Sequence, residues 1–351
     1  MKRCINGECI IPDNAKIIKE SSHAFRSYIK RVVVPNSVKV IDHHAFSECL
    51  HLTDVVLSDS IVIISSFAFA FCPVLKNIVI PDSVLEIGYM AFAHCDSLEE
   101  IVIPNSVISI GSGAFSDCSK LTNIIIPNST IDIAGNPFSN CNLSEIIVDK
   151  DNEIYDSRDF CNAIIETDTN KIIVGCQNTK IPDSVIEIGN GCFADCLGLK
   201  GINISDSIVG IGLSAFRNCI NLAAITVSNG NKVYDSRGNC NAIIKSETNK
   251  LIVGCNSTII QNSVETIGSY AFDGVSPVNI VIPESVKRIA DFAFCNCKDM
   301  KTVYFHGSST KFAKHAFCNC ISLESIYVPS GLTDFYKKQL PKSQQKLVKE
   351  F

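Results

Sequence analysis

Ile78-Val79-Ile80-Pro81-Asp82-Ser83-Val84-Leu85-Glu86-Ile87-Gly88-Tyr89-Met90-Ala91-Phe92-Ala93-His94-Cys95-Asp96-Ser97-Leu98-Glu99-Glu100 runs directly into Ile101-Val102-Ile103-Pro104-Asn105-Ser106-Val107-Ile108-Ser109-Ile110-Gly111-Ser112-Gly113-Ala114-Phe115-Ser116-Asp117-Cys118-Ser119-Lys120-Leu121-Thr122-Asn123. Both 23-residue stretches follow I-V-I-P-x-S-V-x-x-I-G-x-x-A-F-x-x-C-x-x-L. Stepping outward by 23, phenylalanine recurs at Phe46, Phe69, Phe92, Phe115 and Phe138. Cysteine follows three residues later, at Cys49, Cys72, Cys95, Cys118 and Cys141. The frame returns at Phe193/Cys196, Phe216/Cys219, Phe294/Cys297 and Phe317/Cys320, and Phe272 keeps it without a cysteine. A fixed period of this length means one structural unit per repeat, each burying its apolar positions against its neighbours.

The residues within a repeat predict its local structure. L-x-x-I-x-I alternates at its end, as a short strand does with both isoleucines pointing inward. Stacked coils bring these strands together as a parallel sheet, which Pro81, Pro104 and Pro127 end because proline cannot donate to the ladder. S-V-x-x-I predicts a second short strand, closed at Gly88 and Gly111 where the chain bends. A-F-x-x-C predicts a turn or short helix whose phenylalanine plugs the core.

Departures from the frame mark the boundaries. The solenoid is expected over 1–331. Its N-terminal edge coil, 9–31, is irregular: Pro12 to Phe25 is a spacing of 13, against 11 elsewhere. Regular coils follow over 32–145. Two 33-residue units, 146–178 and 225–257, match closely. Tyr155-Asp156-Ser157-Arg158 corresponds to Tyr234-Asp235-Ser236-Arg237, and Cys161-Asn162-Ala163-Ile164-Ile165 to Cys240-Asn241-Ala242-Ile243-Ile244. Residues 332–351 alternate lysines with Phe335, Tyr336, Leu340 and Leu347, which predicts a helical cap over the last coil.

Composition narrows the function classes. Residues are 46% hydrophobic and 19% charged, enough apolar surface for a long core and too little charge for disorder. The formal charge of −5 argues against a nucleic-acid partner, which demands a basic face. No run of about 18 apolar residues occurs, so no membrane-spanning helix is expected. Met1-Lys2-Arg3-Cys4-Ile5-Asn6-Gly7-Glu8 has no apolar core after its basic residues and is not expected to be an export signal.

The Ile78–Cys95 unit, the paired Tyr-Asp-Ser-Arg…Cys-Asn-Ala-Ile-Ile units and Ile326-Tyr327-Val328-Pro329-Ser330-Gly331 together resemble the BspA-like leucine-rich repeat, over nearly the whole chain. The resemblance implies a leucine-rich-repeat solenoid: a parallel sheet on the concave face, with short second strands, turns and short helices on the convex side. It also implies a bacterial or protozoan surface protein engaged in adhesion or host contact, with a host surface protein among its partner classes. It carries no catalytic residues and no cofactor.

Eighteen cysteines are the most conspicuous chemistry. Those in the ladder read as buried thiols acting as small apolar groups. Three further pairs are placed symmetrically about turns. Cys4 and Cys9 flank the two-residue turn Asn6-Gly7, which puts their Cα atoms about 4.5 Å apart, within disulfide reach. Cys161 and Cys176 flank Thr167-Asp168-Thr169-Asn170, and Cys240 and Cys255 repeat the arrangement. Cys295-Asn296-Cys297 and Cys318-Asn319-Cys320 have a spacing too short for a usual zinc knuckle and follow the ladder, so no metal is expected.

No phosphate loop, nucleophile elbow or His-Glu-x-x-His pair is present. The seven histidines occupy scattered repeat positions. Tyr155-Asp156-Ser157-Arg158 holds reactive residue types, but it is duplicated with its coil, and a catalytic centre needs unique convergence. A non-enzymatic chain is expected.

Recognition is left to the outward strand positions. Val56, Val79, Val102 and Ile125 form an apolar column, flanked by Asp54, Asn77, Glu100, Asn123 and Glu145. Outward valines satisfy β-propensity, and a contiguous exposed stripe also marks a contact face. The expected function is protein or peptide binding through this face. The alternative is a structural spacer or self-associating rod.

Overall fold

The computed structural model describes residues 3–351. The chain divides into two compact units, Met1–Thr179 and Lys180–Phe351, each a stack of short-stranded coils.

In the first unit, the second strands of successive coils form one six-stranded parallel sheet. Its members are Ile17–Ile18, Val40–Ile41, Ile63–Ile64, Glu86–Ile87, Ser109–Ile110 and Asp132–Ile133. The glycine after two of these strands is required sterically. A Cβ on Gly88 would stand 2.6 Å from the Ser66 nitrogen, and one on Gly111 2.5 Å from the Tyr89 nitrogen.

The other strand face is less continuous than the repeat predicts. Arg3–Ile5 turns back on Glu8–Ile10, and Arg31–Val33 and Asp54–Val56 add in parallel. Asn123–Ile126 pairs with Glu145–Val148. Between them, Ile78–Ile80 and Ile101–Ile103 keep the in-out alternation but form no strand. The sheet of this face is therefore broken at its centre.

The A-F-x-x-C segments are turns, and they carry a third set of coil-to-coil bonds. Phe46, Phe69 and Phe92 donate their backbone N–H to the carbonyls of Ala68, Ala91 and Ala114 at 2.7–2.8 Å. Inside, the rings of Phe46, Phe69, Phe92, Phe115 and Phe138 stack with centroids 5.4–5.6 Å apart. The edge coil is more regular than its Pro12–Phe25 spacing suggests. Phe25 lies on the surface, and His23 takes the plug position, stacked on Phe46 at 5.0 Å. Ile29 fills the leucine position and is fully buried.

The ladder cysteines have a physical role in this stack. Each thiol reaches back to a turn carbonyl of the preceding coil: Cys72 to Phe46 O, Cys95 to Phe69 O and Cys118 to Phe92 O, all at 3.3 Å. A small side chain with a weak donor fits a tight interior and satisfies a carbonyl there.

The second unit repeats the scheme. A four-stranded parallel sheet runs Asn279–Ile282, Thr302–Phe305, Ser325–Val328, Val348–Glu350. A hairpin of Tyr234–Asp235, Ala242–Lys245 and Lys250–Gly254 leads into Thr266–Ile267, Arg288–Ile289 and Lys311–Phe312. Rings stack again at Phe272, Phe294 and Phe317. Where a helical tail is expected, two single-turn helices, Thr333–Lys337 and Lys342–Gln345, are followed by the strand Val348–Glu350. Tyr336 is fully buried and donates its hydroxyl to Gly307 O at 2.5 Å, anchoring the tail. The final strand then covers the sheet edge with exposed Lys349 and Glu350. Among the described residues, no helix is long and apolar enough to cross a membrane.

Candidate functional site

Outward strand positions of the first unit alternate with buried ones, so the pleat itself aims the candidate residues at solvent. Val79 is 80% exposed, Val102 68% and Ile125 58%, and Val56 and Ile147 are exposed at either end. The two largest of these exposures, at Val79 and Val102, fall at the broken centre of the sheet, and Ile125 lies on the strand that borders it. A shallow opening of about 260 Å³ lies there, lined by Glu100, Val102, Asn123, Ile125, Pro127 and Asp149.

The flanking acids are not equivalent. Asp54 is held by Arg31 at 2.8 Å, and Arg31 also approaches Glu8 at 3.5 Å. Glu100 and Glu145 are exposed and form no ion pair among the described residues. Asn77 and Asn123 are exposed beside them. The centre of the face is thus apolar with unneutralised carboxylates at its side. In the second unit the same column is filled differently. Thr226 bonds Asn203 at 2.9 Å, and Tyr304 stacks on Tyr327 at 5.0 Å with Lys349 over the ring.

Two further features lie at positions the repeat does not explain. Phe160, in the first long unit, is 94% exposed. Cys295 and Cys318 form a disulfide with Cα atoms 4.7 Å apart. The inner cysteines of the same two motifs, Cys297 and Cys320, stay in the ladder and donate to Phe272 O and Phe294 O. A signal was available: in adjacent coils, a second cysteine occupies the same outer position.

The three sequence-predicted cysteine pairs fare differently. Cys4 and Cys9 lie directly opposite in register, although the Cys4 side chain lies outside the described residues. In the long units a β-bulge intervenes. Glu166 faces Lys171 and Ile165 faces Ile172, but beyond the bulge Ile164 faces Val174 and Ala163 faces Gly175. The one-residue slip takes Cys161 out of line with Cys176. Cys176 donates instead to Asn162 O at 3.3 Å, and Cys161 to Ala163 O. Cys240 and Cys255 repeat this arrangement, with Ala242 O and Asn241 O as acceptors. All four are separate, buried thiols. Burial pushes the Cys161 thiol up to about 11, which keeps it protonated and weakly nucleophilic at neutral pH.

Tyr155-Asp156-Ser157-Arg158 is a knot of local bonds. Arg158 Nε donates to Asp156 at 2.8 Å and its Nη1 to Asn170 Oδ1 at 2.8 Å, while Ser157 Oγ accepts the Val148 N–H at 2.9 Å. Arg237, Asp235, Asn249 and Ser236 make the same bonds in the second copy. These polar groups stitch the hairpin to its coil.

The family described as the BspA type Leucine rich repeat region matches the chain in six copies, over residues 2–107, 39–167, 165–250 and 242–347. No curated protein matches it in sequence. Among solved structures, it is similar to a leucine rich cell surface protein from Faecalibacterium prausnitzii, at 25% identity and a TM-score of 0.52. That match covers 91% of this chain and 81% of the other. The pneumococcal vaccine antigen PcpA is similar at 20% identity and a TM-score of 0.58, covering 90% and 78%. A leucine-rich repeat protein from Eubacterium ventriosum is similar at 20% identity and a TM-score of 0.51, covering 88% and 86%.

Proposed function

The chain belongs to the BspA-type leucine-rich repeat family, and from that premise we propose that it is a non-catalytic binding module for an extended segment of a protein partner. The segment docks on the outward strand face of the first unit between Asp54 and Glu145. One observation carries this reading: Val79, Val102 and Ile125 are highly exposed in consecutive coils, the first two where the sheet is broken and the third on the strand that borders the break. Scattered exposed valines need no explanation, but a contiguous apolar stripe does.

The side charges give the partner a chemistry. Glu100 and Glu145 lie on the same outward face as Val102 and Ile147, so they favour a segment that brings both apolar and lysine or arginine side chains to its docking face. Similarity to the Faecalibacterium cell surface protein supports a place for this chain at a cell surface, in contact with other cells or their proteins.

The test replaces Val79, Val102 and Ile125 together with lysine. All three side chains point to solvent, so the circular dichroism and melting temperature should hold. Binding to extended peptides that carry valine and lysine on one face, and capture of a partner from host and bacterial lysates, should both disappear. Binding that survives the triple substitution moves the site to another face. Light scattering across concentration checks the alternative, since a self-associating rod grows with concentration and a binding module stays monomeric.

A further inference from the structure

The duplicated hairpins provide an internal comparison. Over 163–175 and 242–254, the charges agree at every position except one, where Glu166 of the first copy is Lys245 in the second. In the first hairpin Glu166 lies opposite Lys171, an attractive pair. In the second, Lys245 lies opposite Lys250. Like charges directly opposite on an antiparallel pair destabilise it. Something other than hairpin stability has to account for a second lysine here.

The surroundings do not neutralise the two ammonium groups. Both lysines are half-buried and enter no ion pair among the described residues. Lys250 faces Thr266 on its other side, and Lys245 faces Tyr234. The carboxylates nearby are engaged elsewhere: Asp235 with Arg237 and Ser246, Glu265 with Lys287 and Asn249, Asp195 with Arg217. The charge of Glu187 reaches Tyr234.

Both lysines line the same opening, of about 270 Å³, with Tyr234, Tyr270, Ser214 and Ser269 around it. Gly268 forms part of its lining, and a Cβ there would lie 3.0 Å from Lys250 Cε, so glycine lets the lysine stem lie flat. The Tyr270 ring is fixed by stacking on Phe292 at 5.3 Å. The cavity therefore combines two lysine ammonium groups, hydroxyl donors and an ordered aromatic wall, with Arg217, paired to Asp195, also in its lining; its volume falls just below the roughly 300–1,000 Å³ typical of ligand sites.

We propose that this cavity in the second unit binds a small anionic ligand, a phosphate or carboxylate group carried on a body the size of one sugar. Lys245 and Lys250 hold the anion, Ser214 and Ser269 bond its polar body, and Tyr270 packs against a ring face. The site is independent of the apolar face of the first unit, so either can fail without the other.

Titration calorimetry at low salt with inorganic phosphate, glucose 6-phosphate, glucuronate and glucose tests the proposal. At least one of the three anions should bind, glucose should not, and added salt should weaken the binding. Tight glucose 6-phosphate assigns a phosphate source, and tight glucuronate assigns a carboxylate source. Lys245→Glu recreates the charge pair of the first hairpin, so the variant should melt no lower than the parent protein. It should nonetheless bind the anion at least about tenfold more weakly, the loss expected for one charged hydrogen bond. Lys250→Gln should weaken binding similarly, and it serves as the second variant. Absence of binding by all three anions overturns the proposal. So does a folded Lys245→Glu protein that binds as tightly as the parent.

Discussion

The backbone N–H of Asn218 donates to the carbonyl of Asp273 at 2.8 Å, bypassing the whole 225–257 unit. That unit adds strands to the sheets but contributes no A-F-x-x-C turn, so the turn ladder closes directly between coils that are distant in sequence. Gly274 makes the closure possible. Its φ is +77°, and a Cβ on it would sit 2.7 Å from Asn218 Cα. Gly274→Ala should therefore cost about 2 kcal/mol or more, combining left-handed strain with a backbone clash. Gly331→Ala is the control: its φ is +80° with nothing within 4 Å, so it should cost about 1 kcal/mol from strain alone. Urea unfolding midpoints of the two variants check the difference. Equal losses would mean that the close approach to Asn218 is unimportant.

The ring column predicts a second asymmetry. Phe92 is fully buried between Phe69 and Phe115, at 5.5 and 5.4 Å. Phe92→Ala should cost about 3–5 kcal/mol, because the coils above and below are held by their own backbone ladders and cannot collapse into the cavity. Val79→Ala, on the outward side of the same coil, should change stability by less than about 0.5 kcal/mol. Thermal melts of both variants distinguish a core column from a binding column in one coil.

Much of this was legible because a 23-residue period leaves few choices. The phenylalanine and cysteine columns, the inward isoleucines and the outward valines all follow from stacking. What was not legible depended on local slips that a period does not encode. The bulges in the long units displace Cys161 from Cys176 by one residue, and nothing in the flanking sequence marks them. Counting from Pro12 pointed to Phe25, whereas counting back from Phe46 points to His23, the residue that stacks. The break in the sheet at Ile78–Ile80 and Ile101–Ile103 is invisible in the pattern, because alternation survives without the ladder. The Lys245–Lys250 pair was readable by a residue-by-residue comparison of the two hairpins, since it is a charge difference between copies.

The disulfide predicts a chemical distinction among the cysteines. Cys295 and Cys318 are bridged, and the ladder members Cys297 and Cys320 are thiols. Alkylation after denaturation without reductant should label Cys297 and Cys320 but not Cys295 and Cys318, and peptide mass mapping reads this directly. Replacing both by alanine should cost on the order of 3 kcal/mol, the loop-closure value for a separation of 23 residues. Full labelling of Cys295 without reductant would show that the bridge does not form in solution.

The buried thiols set the response of stability to alkali. Burial raises the Cys72, Cys95 and Cys141 thiols well above their ordinary value of 9.0, and like-charge repulsion from the neighbouring ladder cysteines adds to it. The folded chain therefore keeps these protons at pH values where the unfolded chain releases them. Between the unfolded and folded values the unfolded state binds fewer protons, so unfolding becomes easier as pH rises. The contribution is fully present below about pH 8 and declines from about pH 9 upward, with a slope that grows with the number of thiols involved. Urea midpoints at pH 7, 9 and 10 should fall in that order, and Cys95→Ala should flatten the fall while lowering the pH 7 midpoint slightly through lost packing. A parent and variant with parallel pH profiles would show that the ladder thiols ionise together with the unfolded chain, contrary to their burial.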